Sequence, residues 1–191
     1  TIPDYAFNSY SISTLQKMTI GKSVKSIGKD IVHSSLLEVH IKDLKSYCGI
    51  DFSDTILEGA SLYVNGRNTT DLTIPDGVTE IPSYAFKGCS NLQFLTIPES
   101  VTAIGNYAFA YLYFVESVTF EEGSKLESVG AVAFHYAIRL VSVTLPETVK
   151  SIGTLAFGYS SKLTNVYIPQ DVTSIVAGAF TKSNNVKLNV A

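Results

Sequence analysis

Cysteine is nearly missing: two in 191 residues, Cys48 and Cys89, too few and too widely separated for a metal or redox motif. Two buried thiols are the expectation, since a disulfide needs a close backbone approach that sequence does not establish. Basic charge is also short. A net charge of −3 leaves no electropositive footprint, which argues against nucleic acid as a partner. No apolar run reaches the roughly 18 residues of a membrane span, and no signal-peptide pattern opens the chain. The three histidines, His33, His40 and His135, are scattered, and no H-E-x-x-H, G-x-S-x-G, Walker or C-x-x-C pattern occurs. Acidic residues do not fall at calcium-loop spacing. Neither an enzyme nor a cofactor or metal site is expected.

What is abundant is repetition. An Ala-Phe pair stands at Ala6-Phe7, Ala85-Phe86, Ala108-Phe109, Ala133-Phe134, Ala156-Phe157 and Ala179-Phe180, with a degenerate copy at Ile31-Val32. The last five recur every 23 residues, except that the step from Ala108 to Ala133 is 25. A fixed period of this size predicts a solenoid. Within each unit, pairs such as Leu95 and Ile97, or Val166 and Ile168, sit two apart and so face one side of a short strand. Strands one repeat apart must run the same way, which predicts a parallel sheet. Pro75, Pro98, Pro146 and Pro169 then end the strands, because proline has no N–H to give a ladder. Gly28, Gly105, Gly130 and Gly153 follow, and a tight turn is expected there. Alanine leaves room for close coil contact, and the phenylalanines should stack as an aromatic spine.

The string "KLTNVYIPQDVTSIVAGAF" resembles the BspA-like (Treponema-type) leucine-rich repeat, whose consensus is near C-x-x-L-x-x-V-x-I-P-x-x-V-x-x-I-G-x-x-A-F. Cys89 matches its cysteine, while Leu112, Ala137, Ser160 and Ser183 replace it elsewhere. The match is strong over 69–182 and looser over 1–41. The resemblance implies an α/β-type repeat solenoid, a right-handed superhelix of about seven coils. Each ~23-residue coil would carry one short parallel strand and an irregular, 3-10 or short-helix return. It also implies a bacterial protein, secreted or on the cell surface, with a role in adhesion.

The pattern fails between Ile41 and Thr69. There "SLYVNGRN" carries Asn65-Gly66, a strong hairpin-turn signal. Residues 42–68 are expected to be an irregular excursion or hairpin within one elongated coil of a single domain spanning 1–191. The two extra residues near "EEGSKLESVG" fall in a turn, where insertions are tolerated.

If the strands' Val and Ile point inward, an outward row reads Thr19, His40, Thr73, Thr96, Thr119, Thr144 and Tyr167. Beside it run Lys17, Glu38, Asp71, Phe94, Ser117, Ser142 and Asn165. A mostly threonine file suits a solvated sheet; Phe94 and Tyr167 would make it an interface, since aromatic anchors dominate binding energetics. A second stripe, Tyr111, Tyr136 and Tyr159, is expected on the convex side, for packing between coils or as an aromatic contact strip. The function expected is therefore a rigid binding module for a protein or glycan, such as host extracellular matrix. A spacer displaying another domain is the alternative, and a hydrolase with a pocket at 42–68 a remote one. Thr1 enters in mid-repeat and "VKLNVA" ends on an uncapped apolar strand, so further repeats are expected to pair with the terminal edges.

Overall fold

A computed structural model describes residues 1–7, 15–31, 36–54, 57–183 and 186–190; Val32 and His33 lie outside these. The chain winds as a β-solenoid with, among the described residues, one helical turn, α1 (Leu44–Tyr47). One face carries three successive sheets. The first holds β1 (Lys17–Ile20), β3 (Glu38–Ile41) and β5 (Ser61–Val64), with β6 (Arg67–Asn68) folded back antiparallel on β5. The second holds β7 (Asp71–Thr73), β9 (Phe94–Ile97) and β11 (Ser117–Phe120), and the third β13 (Ser142–Thr144), β15 (Asn165–Ile168) and β17 (Lys187–Val190). Apart from the β5–β6 hairpin, all pairing within them is parallel.

The return segments differ from expectation. Among the described residues none is 3-10 helix. Most coils add a second, two-residue strand: β2 (Ser26–Ile27) pairs with β4 (Asp51–Phe52), and β8 (Glu80–Ile81), β10 (Ala103–Ile104), β12 (Ser128–Val129), β14 (Ser151–Ile152) and β16 (Ser174–Ile175) form an unbroken ladder of their own. Ile27, Ile81, Ile104, Val129 and Ile152 enter the core from these strands, as Phe52 does from β4, while Ile175 of β16 is exposed.

Alternation builds the core. Met18, Val39 and Leu62 stand in register, as do Leu72, Leu95 and Val118, and all six are buried. Between the two ladders lies the aromatic spine. Phe86, Phe109, Phe134, Phe157 and Phe180 stack at centroid separations of 5.4, 5.3, 5.2 and 5.6 Å, with planes within 15°. Such offset stacks add roughly 0.5–1.5 kcal/mol per pair beyond burial. Where the excursion lacks an Ala-Phe pair, α1 supplies Tyr47: its ring lies 5.5 Å from Phe86 and its hydroxyl donates to the Ala85 carbonyl. The spine thus has a substitute first member.

The glycines that follow four of the return strands act through space, and this corrects the turn expectation. Gly28, Gly105, Gly130 and Gly153 do not adopt positive φ. A Cβ on Gly105 would stand 2.5 Å from Ser83 N, and one on Gly153 2.5 Å from Ala131 N; only a residue without a side chain lets neighbouring backbones close. The left-handed positions lie elsewhere, immediately before each Ala and two residues after each Phe. Tyr107, Val132 and Leu155 occupy the first kind (φ 59, 63 and 53°), and Tyr111, Tyr136 and Tyr159 the second (φ 59, 60 and 59°). This conformation costs a side-chain-bearing residue about 1–2 kcal/mol. It is held because the amides of Tyr107, Val132, Tyr111, Tyr136 and Tyr159 donate to the next coil, at 2.7 to 3.0 Å.

Candidate binding surface

The strand face displays every residue of both outward rows. Lys17, Thr19, Asp71, Thr73, Phe94, Thr119, Ser142, Thr144 and Tyr167 are exposed, and Glu38, His40, Thr96, Ser117 and Asn165 half-buried. Register joins Lys17 to Glu38, Thr19 to His40, Asp71 to Phe94 to Ser117, Thr73 to Thr96 to Thr119, Ser142 to Asn165 and Thr144 to Tyr167. The rows do not run through, because the face is three sheets.

Each sheet has its own chemistry. In the first, Glu38 accepts from His40 Nε2 at 2.9 Å and faces Lys17 Nζ at 3.5 Å. These contacts, the imidazole first, hold its carboxyl below the ordinary value. The His40 ring stacks on Tyr63 at 4.4 Å. The second sheet presents the threonine file beside Phe94, 43% exposed; the third presents Tyr167, 44% exposed. Sequence reasoning missed Ser61 and Tyr63, which extend both rows because β5 pairs with β3 in the ordinary register. The alternation in "SLYV" was the available signal, obscured by the hairpin that follows it.

Two interruptions divide the face. At the first, β5 turns back through Asn65 and Gly66, both at positive φ (51 and 79°), as a two-residue hairpin requires. Asn91, another missed residue, fills the gap. Its side chain accepts from Leu62 N at 2.8 Å, and its amide nitrogen stands 3.0 Å from Leu62 O, Thr69 O and Asn68 Oδ1. A 360 Å³ hollow beside the hairpin has Arg67 and Asp71 as its ionisable groups, with Thr69, Thr70 and Thr73 among its hydroxyls. It contains no histidine or cysteine. At the second, β11 and β13 are neighbours that no pairing joins, and a 720 Å³ cleft lies along them.

The tyrosine stripe is a packed ladder. Tyr111 stacks on Tyr136 at 5.5 Å and Tyr136 on Tyr159 at 4.9 Å, with Lys87 and Lys182 ammonium groups 5.7 and 5.1 Å from the outer rings. All three tyrosines are half-buried. His135 meets all three edge-on and is buried, with no partner for either ring nitrogen among the described residues. Burial depresses its basicity. Beside this ladder the exposed Tyr113 and Phe114, also missed, approach Tyr136 and Arg139. Both cysteines are free and buried, and burial pushes each thiol up to about 12. Among the described residues no group of His, Cys, Asp and Glu could hold a metal ion, and no helix is long and apolar enough to cross a membrane.

The model of the BspA type leucine rich repeat region matches six copies over residues 1–52 and 57–187. The chain belongs to that family. No curated protein sequence matches it. Among solved structures, a leucine rich cell surface protein from Faecalibacterium prausnitzii superposes with a TM-score of 0.66 at 18% identity, over 99% of this chain and 62% of that one. The pneumococcal vaccine antigen PcpA gives 0.58 at 18% identity, over 99% and 60%. The leucine rich repeat protein of T. pallidum gives 0.51 at 17% identity, over 94% and 71%. The repeat protein thus spans about three fifths of the length of the first two.

Proposed function

We propose that the chain is a binding module of a secreted or cell-surface bacterial protein, meeting a protein or glycan with its outward strand face and performing no covalent chemistry. One observation carries this: Phe94 and Tyr167 stand more than two-fifths exposed on a face whose inward side chains are close-packed. Large aromatic groups held out on rigid strands are the usual anchors of an interface. The family supports a role in protein interaction, and a structural relative described as a cell surface protein supports the location. The coil is taken as right-handed, the sense that connections between parallel strands adopt.

The test is a panel of immobilised extracellular-matrix proteins and glycans. The Phe94→Ala/Tyr167→Ala double variant should lose binding by about a hundredfold, the scale of losing two anchors. Unchanged affinity to the partner found would remove this face from consideration.

A further inference from the structure

The tyrosine ladder lies at the corner where each coil leaves its spine phenylalanine and turns into the next strand. In the coil of Phe109 this corner continues through Tyr113, Phe114 and Glu116; in the next, through Ile138, Arg139 and Val141; in the third, through Ser161 and Lys162. Tyr113, Phe114 and Val141 are 44, 40 and 51% exposed, so large apolar side chains stand out on two neighbouring coils. Tyr113 crosses the ladder, its ring 6.3 Å from those of Tyr111 and Tyr136. The Arg139 guanidinium lies 4.7 Å from the centre of the Phe114 ring. Rings packed on one side and bare on the other are fixed before a ligand arrives, which spares the cost of ordering them on binding.

The charge of this corner is one-sided. The corners at 135–141, 158–164 and 181–186 contain no Asp or Glu, and they carry Arg139, Lys162 and Lys182, all exposed. Beyond Gly130 the chain has two acidic side chains, Glu147 and Asp171, and both stand past the far ends of β13 and β15. Arg139 has Glu116 at 3.5 Å. The ion pairs among the described residues include neither Lys162 nor Lys182; the Lys182 ammonium instead stands 5.1 Å from the Tyr159 ring. The chain as a whole carries −3, so an anion drawn here is drawn by the corner and not by the molecule's overall field.

We propose that this corner is a binding surface of its own, for an acidic polysaccharide. A pyranose ring has an apolar C–H face and a polar rim, the complement of an exposed aromatic face beside phenol hydroxyls. The sugar rings lie against Tyr113 and Phe114, and the carboxylate or sulfate groups meet Arg139, Lys162 and Lys182. These cations come from three successive coils, so a linear polymer running along the stack meets them in turn. An acidic peptide shares the charge and lacks the ring face. The surface includes neither Phe94 nor Tyr167, and it stands or falls apart from the strand face.

The probes are fluorescent octasaccharides of heparin, which carries sulfate and carboxylate, and of hyaluronan, which carries carboxylate alone. An octaglutamate peptide is the charge control. Anisotropy with the intact chain, at a salt concentration that screens loose surface attraction, should show binding of at least one sugar and none of the peptide. Heparin alone would identify the anion as sulfate, and both sugars would identify it as carboxylate. Failure of both sugars, or equal binding of octaglutamate, overturns the proposal. The Tyr113→Ala/Phe114→Ala variant should weaken sugar binding about tenfold, and Lys162→Gln/Lys182→Gln, which leaves the rings in place, by about the same factor. Unchanged affinity in either variant removes the corner. The Phe94→Ala/Tyr167→Ala variant should bind the sugar as the parent chain does. A loss there would put the sugar on the strand face, overturning the corner and supporting the earlier reading.

Discussion

The stretch from Asp71 to Phe120 and the stretch from Lys42 to Thr70 perform the same structural task by different means. In the first, each demand is met by the residue type its period dictates: Ile in the return ladder, Gly105 where backbones close, Phe86 and Phe109 in the spine. In the second, the demands remain and the suppliers change. Tyr47 reaches in from a helical turn to head the spine, and Asn91, one coil later, bonds the groups that a hairpin withholds from the ladder. A solenoid therefore tolerates an irregular coil provided that ring stacking and main-chain bonding are both restored.

The largest way to break the regular stretch is Phe109→Ala, which removes two of the four contacts in the phenylalanine stack. Chemical denaturation should show a loss of about 3–5 kcal/mol; a loss below 1 kcal/mol, on the same scale, would mean that the spine is incidental. The irregular stretch should break at Asn91→Ala, which leaves the Leu62 amide unpaired while its carbonyl keeps the Thr69 N–H, at roughly 1–3 kcal/mol. Hydrogen exchange should then quicken at Leu62 while Thr96 keeps its protection. Equal acceleration at both would deny that the staple is local. A smaller change sharpens the contrast from inside the regular stack, where His135 breaks the rule that buried polar atoms are bonded. Its folded pKa lies below 6.5 because of burial, so the unfolded chain takes up the proton first. Stability should decline as pH falls past 6.5. His135→Leu should flatten that decline and add about 1 kcal/mol; an unchanged slope between neutral and acidic pH would show that His135 is not its source.

What was legible before the structure follows from how often each requirement recurs. Phe86, Phe109, Phe134 and Phe157 answer one question four times, so their stacking could be read from spacing. The return ladder could not, because segments such as Ala103-Ile104 are too short to display a period of two. Gly105 was recognisable as obligatory, but an absent side chain signals free backbone rotation and close approach alike, and only the position of Ser83 N decides between them. The outward rows follow from the alternation within each strand, and their residues are exposed or half-buried. Their division was not legible, because two added residues near Gly123 reveal nothing about whether β13 keeps its bonds to β11.

The parting of β11 from β13 also bears on how the molecule yields to force. Parallel ladders that bind coil to coil carry their bonds along the stacking direction, so a pull on the two ends would peel them one after another. On the strand side, the seam beside Val118 has none to peel. There the return ladder and the ring stack alone would resist the pull, without help from the strand face.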